Sequence, residues 1–191
     1  MLILIGGGGH AKVLYDIILA QNRLLYAYVD PKEHAWLSEN NIKHISDYEL
    51  SSVISSRPEL FIGFVGLDCE ALEKRMNILK NYQQEGAYFT PLVHPSACVS
   101  SKATLSFGAQ ILPNAVVNSG AVIGEGAVIN SGAVVEHDAV IGAGAHIAPR
   151  AVVLGGASVG DCAYISSGAV IIQNSIVPAK SFVKALTVYK N

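Results

Sequence analysis

The stretch from Val93 to Ile176 repeats every six residues. An aliphatic residue opens each hexad, from Val93, Val99, Leu105 and Ile111 through to Ile165 and Ile171, fourteen times without a slip. The fifth place is alanine from Ala97 through Ala169 and ends at Ser175. A weaker continuation pairs Val177 with Ser181 and Val183 with Thr187. A period of six is neither the 3.6 of a helix nor the plain alternation of a long strand. It predicts a short strand and a corner, over and over. Three such pieces make one triangular coil of roughly 18 residues, and coils stack at about 4.8 Å. The aliphatic residue points inward, and so does the small residue two places before it, near the corner. Corners call for φ > 0, which glycine tolerates, and Gly120, Gly126, Gly132, Gly144, Gly156 and Gly168 share one corner place. One coil cannot bury its own face, so many must stack into a parallel β-helix.

With 191 residues there is room for this coil and one further small domain. Only 15% of the residues are charged, which suits a large buried interior and an apolar contact surface. A net charge of −2 implies no nucleic-acid partner. No run is long enough for a membrane helix, and MLILIGGGGHA has neither a basic lead-in nor a signal-peptide layout. Cys69, Cys98 and Cys162 are scattered, forming neither a disulfide framework nor a metal pattern. A cytoplasmic chain is expected.

Before the hexads, Leu2 to Ile5 reads as a buried strand, Gly6 to Ala11 as a glycine-rich turn and Lys12 to Gln21 as a helix. Leu25 to Val29 reads as a second strand ending at Asp30-Pro31. Such a turn lets backbone N–H groups and a helix N-terminus approach a phosphate. Gly6, Gly8 and Ala11 fit G-x-G-x-x-[GA] with Asp30 downstream, although the elements are too few for a complete dinucleotide domain. The polar stretch from Pro31 to Asp47 is expected to hold loops and a short strand. Leu60 to Val65 is expected as a third strand, Cys69 to Asn81 as a helix with Leu72, Met76 and Leu79 on the sheet, and Ala87 to Thr90 as a last strand. The division is therefore residues 1–91, a small Rossmann-like α/β unit with a parallel sheet, and residues 92–191, an all-β coil.

Four segments carry a family resemblance: GGGGHAKV at residues 6–13, YVD at 28–30, VHPSA at 93–97 and NSGAVVEHDAVIGAGAHIAP at 130–149. Together they resemble the sugar acetyltransferases of the sialic-acid O-acetyltransferase and bacillosamine or perosamine N-acetyltransferase type, within the hexapeptide-repeat acyltransferases. The resemblance implies a left-handed β-helix, against the general preference for right-handed crossovers. It further implies a nucleotide-linked amino sugar or sialic acid held by the N-terminal unit, acetyl-CoA held by the coil, and a homotrimer with sites between subunits.

Acetyl transfer needs a base for the nucleophile's proton, a donor for the oxyanion and a groove for the carrier. His137, in Glu136-His137-Asp138 at a corner outside the apolar interior, is the candidate base. A carboxylate beside it can fix the imidazole tautomer. The resemblance implies Asp138, with Glu136 as the alternative. A solvated corner histidine is the reading without chemistry. His146, nine residues on, is half a coil away and cannot share a wall with His137 in one subunit; the resemblance implies a contact with acetyl-CoA. For the sugar nucleotide it implies Gly8, Gly9, His10, Asp30 and Gly66. For CoA, Gly155 offers a backbone N–H to the thioester carbonyl, and Ser167 and Ala185 fall where relatives contact the pantetheine. Val116, Val134, Val152 and Val170 form one outward stripe and Val122 with Val140 another, as an interface requires.

Relatives of this type continue beyond the last coil near the adenine of CoA. Here the sequence reaches Tyr189-Lys190-Asn191, and Lys184-Ala185-Leu186 stands where relatives are glycine-rich. A weaker grip on CoA, or another acyl carrier, is an expectation. A non-catalytic nucleotide-sugar-binding scaffold is the alternative reading. A zinc enzyme on the same coil needs three histidines, and beyond the junction residue His94 the coils offer His137 and His146; no metal is expected. A nicotinamide enzyme lacks its second half-domain.

Overall fold

In the computed structural model, which describes residues 1–191, the apolar run Leu2–Ile5 forms β1 at the centre of a parallel sheet. Its neighbours are β2 (Ala27–Val29) and β4 (Glu59–Ile62), with β3 (Lys43–Ile45) at the edge, in the order β3-β2-β1-β4. Side chains alternate across the sheet. Leu2, Leu4, Tyr28 and Phe61 pack toward α1 (Gly9–Ala20) and the coil. Ile3, Ile5, Ala27, Val29, Leu60 and Ile62 pack with Leu50 and Leu79 on the other side.

Several boundaries differ from the sequence reading. The polar stretch holds a helix, α2 (Ala35–Glu39), as well as the expected strand. The following α3 (Asp47–Val53) opens on a capping box in which Ser46 and Glu49 satisfy each other's backbone N–H. Ala87 to Thr90 is not a strand; it contributes one parallel bridge, Tyr88 to Glu59. The expected helix runs on as α4 (Cys69–Gln84), capped by the Asp68 carboxylate, which accepts from the Ala71 N–H at 2.8 Å. Leu72 and Met76 face the coil rather than the sheet, packing with Ala148, Cys162 and Tyr164.

The hexads form seventeen two-residue strands, from Leu92–Val93 to Val188–Tyr189, in three parallel sheets of a left-handed β-helix. Ladder partners lie 18 residues apart, as Val122 with Val140 and Ile123 with Ile141. A single core of 24 buried residues fills the coil, all of them alanine, valine or isoleucine. Every sixth residue from Gly108 to Leu186 has φ between 51° and 76°. Half of these corners carry side chains, among them Asn114, Asp138, Arg150, Cys162 and Leu186. The stacked ladders therefore impose the corner, and glycine only makes it cheaper. Leu186, at φ 57° and 85% exposed, bears that cost for little more than a contact with the Gly168 corner. Leu186→Asn is expected to stabilise the protein by about 1 kcal/mol, because asparagine tolerates the left-handed region. A urea midpoint that does not rise would refute this.

The N-terminal unit covers one of the three outer faces. Gln110, Val128, His146 and Tyr164, stacked one coil apart, are buried beneath it. The other outer stripes stay uncovered, with Val122 38% and Val140 43% exposed.

Candidate active site

One segment gathers several of the polar contacts at the junction of the two units. Beyond β4 the chain continues through Gly63-Phe64-Val65-Gly66, and its alternate carbonyls find side chains instead of a strand. The Ile62 carbonyl accepts from Gln110 Nε2 at 3.0 Å, Phe64 from Arg75 Nε at 2.9 Å, and Gly66 from His146 Nδ1 at 3.1 Å. This is why the expected strand ends at Ile62: its partners here are side chains. Arg75 is fully buried, also donates to the Gly126 carbonyl, and has no carboxylate partner. Burial lowers its pKa to about 10, so it remains a cation at neutral pH. Gln110 and Arg75 escaped the sequence reading. Gln110 merely stands where most of the outward places hold apolar residues, and Arg75 reads as one of many helix surface charges.

These bonds set two histidine tautomers. Gln110 donates through Nε2, so its Oε1 accepts from His10 Nε2–H at 2.8 Å. His10 Nδ1 is left as an acceptor. His146 donates through Nδ1 to Gly66 and accepts at Nε2 from the Asn130 amide at 3.0 Å, while Asn130 Oδ1 takes the Ser131 N–H. Loss of hydration lowers both imidazoles to about 4, so both are neutral. His146 points away from the coil axis as expected, but it is covered by the N-terminal unit, stacked on Tyr164 and 1% exposed. In this chain it meets Gly66 rather than an open wall.

The ends of the parallel strands line a cavity of about 680 Å³ that includes Gly6, Asp30, Pro31, Gly66 and Lys74. The Asp30 carboxylate is already engaged, accepting from the Gly7 N–H at 2.9 Å and the Lys32 N–H at 3.1 Å, with His34 Nε2 3.1 Å away. It anchors the glycine loop from beneath, and the bonds from Gly7, Lys32 and His34 outweigh desolvation to lower its pKa. Gly66 must be glycine, since a Cβ there would lie 2.6 Å from the Leu72 nitrogen. Gly8 and Gly9 are different: a Cβ on either would meet nothing within 4 Å.

On another edge of the coil, His137 Nδ1 lies 2.9 Å from Asp138 Oδ2, and both side chains are largely exposed. Glu136 instead accepts the His137 backbone N–H, at 3.4 Å. With Nδ1–H donated to Asp138, Nε2 carries the lone pair. One coil above, Gly155 sits against that nitrogen; a Cβ there would be 2.7 Å from Nε2. The Gly155 N–H has no acceptor in the chain, while its carbonyl accepts from Asn174 N–H at 3.1 Å. Ser167 and Ala185 are exposed, one coil apart, on a third edge. One chain thus brings His137, Asp138 and Gly155 together, and Asp30 and Gly66 together, but it does not join these groups to each other or to Ser167 and Ala185. No three His, Cys, Asp or Glu side chains converge at metal-ligand spacing. No helix is long and apolar enough to cross a membrane.

A hexapeptide coil with a histidine–carboxylate pair on its edge, joined to a small α/β unit with a cavity at its strand ends, defines a hexapeptide-repeat acyltransferase. The signature of the PglD N-terminal domain matches residues 1–85, and that of the bacterial transferase hexapeptide matches residues 102–137 and 138–173. PerB from Caulobacter crescentus, solved with CoA and GDP-perosamine, is 30% identical; the match covers 98% of this chain and 87% of that one, with a TM-score of 0.88. A histidine-to-asparagine variant of perosamine N-acetyltransferase from the same organism, also with CoA and GDP-perosamine, matches at 29% identity over 98% and 87% of the two chains, with a TM-score of 0.89. The acetyltransferase domain of PglB from Neisseria gonorrhoeae, solved with acetyl coenzyme A, is 26% identical over 97% and 88%, with a TM-score of 0.85. No curated protein sequence matches. The chain belongs to the family of sugar acetyltransferases that join a PglD-type N-terminal domain to a hexapeptide-repeat coil.

Proposed function

We propose that this protein transfers an acetyl group from acetyl-CoA to the amino group of a nucleotide-linked sugar for surface-glycan synthesis. Residues 1–91 hold the sugar nucleotide and residues 92–191 the acyl donor. The observation that carries this reading is the His137–Asp138 pair with Nε2 set against Gly155, whose backbone N–H is unengaged. His137 Nε2 takes a proton from the acceptor amine as its nitrogen bonds to the thioester carbon. The Gly155 N–H donates to the oxyanion that forms. The tetrahedral species then collapses, and the imidazolium returns its proton to the departing CoA sulfur, giving an acetamido sugar and free CoA thiol. Asp138 holds Nδ1–H in place and stabilises the imidazolium. No step needs an acyl-enzyme.

One chain separates the dyad from the strand-end cavity, so a neighbouring subunit completes the site. The uncovered valine stripes are the surfaces for a head-to-tail ring of three. Acetyl-CoA then lies between the Gly155 edge of one subunit and the Ser167 and Ala185 edge of the next. His146 acts from beneath, holding the Gly66 loop.

The sugar nucleotide lies along Gly8, Gly9, His10 and Gly66, with Asp30 shaping the loop. Neither backbone angle nor packing requires glycine at position 9, the first residue of α1. Close approach of a ligand does. Gly9→Ala is therefore expected to leave the urea midpoint unchanged or slightly raised. It should weaken binding of the nucleotide sugar about tenfold or more, roughly 1.4 kcal/mol. Unchanged affinity by calorimetry would remove the phosphates from this loop.

Thiol release from acetyl-CoA tests the function directly. The acceptors are GDP-, UDP- and dTDP-linked 4-amino sugars, with free and CMP-linked sialic acid for the hydroxyl alternative. Turnover of one amino sugar is expected. Nucleotide-sugar binding without thiol release from any acceptor would overturn the enzyme reading in favour of a scaffold.

A further inference from the structure

The Asp138 carboxylate lies over the corner of the preceding coil, at Gly120. A Cβ at position 120 would stand 2.3 Å from Asp138 Oδ1 and 3.3 Å from its Cγ. Gly120 has φ +76°, but this alone does not demand glycine, because equivalent corners hold Asn114, Arg150, Cys162 and Asn174. Steric freedom differs from corner to corner. At Gly132, φ +65°, a Cβ would meet only Arg150 Cγ at 3.6 Å, ordinary contact. Gly120 shares with Gly156, where a Cβ would stand 2.4 Å from Asn174 Oδ1, a side chain one coil on that fills the corner; at Gly120 that side chain is the Asp138 carboxylate, whose other oxygen, Oδ2, holds His137 Nδ1 at 2.9 Å.

The reach of that carboxylate is short. Asp138 is itself at a left-handed corner, φ 59°, and its backbone N–H is tied to the Ser119 carbonyl at 3.1 Å, one residue from Gly120. Its Cα is therefore fixed by the ladder, and the side chain can relieve a clash only by rotating about its own bonds. Rotation moves Oδ2 away from the imidazole. Such precision matters, since an orienting carboxylate works through geometry of about half an ångström.

We propose that Gly120 is a positioning residue for the acetyl-transfer reaction: by carrying no side chain it gives the Asp138 carboxylate the place from which it holds His137 in the Nδ1–H tautomer. This rests on His137 being the base. Gly120 touches neither substrate nor imidazole and acts only through Asp138.

The experiment compares Gly120→Ala, Asp138→Ala, the double variant and Gly132→Ala with the wild type, all as full-length protein. Gly132→Ala carries the same left-handed backbone strain without the clash. The first readout is the His137 tautomer, from the ring nitrogen shifts of 15N-histidine-labelled protein, which needs no substrate. The second is kcat/KM with acetyl-CoA and GDP-perosamine as the acceptor probe. Gly120→Ala is expected to shift His137 toward the Nε2–H form that imidazole prefers in water, as Asp138→Ala does. It should lower kcat/KM about tenfold or more, while the KM for acetyl-CoA stays within about twofold. Gly132→Ala should match the wild type in tautomer and rate. The double variant should match Asp138→Ala alone, since removing the carboxylate removes the clash. Retention of the Nδ1–H tautomer in Gly120→Ala, or a further loss in the double variant, overturns the proposal and leaves the dyad standing. An unchanged tautomer in Asp138→Ala overturns both.

Discussion

His137→Ala is expected to lower kcat by roughly two to four orders of magnitude while the fold and the KM for acetyl-CoA hardly change. The fold is spared because the side chain is largely exposed and its only side-chain partner is Asp138, which is still more exposed. No buried group loses a bond. The rate falls because nothing else nearby can accept the amine's proton: Glu136 is spent on a backbone N–H, and Gly155 offers only its main chain. What survives is the contribution of the oxyanion donor and of binding. His137→Gln is the companion variant, keeping bulk and polarity without a base. Initial rates of thiol release at saturating acceptor, with a thermal melt on each variant, decide it. A variant within about tenfold of wild type would mean that the proton leaves by another route.

The second large effect is on stability, and it comes from acid. His10 and His146 are held neutral at the junction of the two units, each with a pKa near 4 because burial strips its hydration. In the unfolded chain the same side chains titrate near 6.5. The groups facing them are Arg75, the Gln110 and Asn130 amides and the Gly66 carbonyl, with no carboxylate among these bonded partners to stabilise an imidazolium. Below about pH 6.5 the unfolded state binds protons that the folded state refuses. The stability present above that pH is therefore lost as pH falls from about 6.5 toward 4, and no more is lost below. For His146, which is 1% exposed, the loss at pH 5 relative to pH 8 comes to roughly 2 kcal/mol. His10 keeps an exposed edge and adds less. Urea midpoints at pH 8 and pH 5 should differ accordingly, and His146→Gln should flatten the difference whatever it does to the midpoint at pH 8. An equal slope in both proteins would refute the assignment.

Parts of this were open to reading before any coordinates. The coil was, because its period is dictated by an interior that admits one aliphatic and one small residue per hexad, and the 24-residue core is that pattern made solid. Ladder partners 18 residues apart follow from three hexads to a turn. The two valine stripes were legible for the same reason: residues one coil apart must line up. The capping box at Ser46 and Glu49 was written plainly too, though hidden inside a stretch whose polarity suggested loops. The family resemblance pointed to Asp138 beside His137 and left Glu136 open; backbone geometry at a left-handed corner sends the Asp138 carboxylate to the imidazole and the Glu136 carboxylate to the main chain.

The tertiary structure decided what periodicity is silent about, namely which face of the coil the first ninety residues cover. A hexad pattern makes three faces alike, and only packing distinguishes them. Covering the Gln110 face turned His146 from an outward side chain into a buried one. It turned Arg75 from a helix surface charge into a cation that ties Phe64 to Gly126. The hexad repeat dictates the coil, its interior and the residues available at each corner, because every hexad restates the same local pattern. Only the folded molecule decided which corner residues face one another and which are enclosed, because those contacts join positions up to 100 residues apart whose partners no local pattern records.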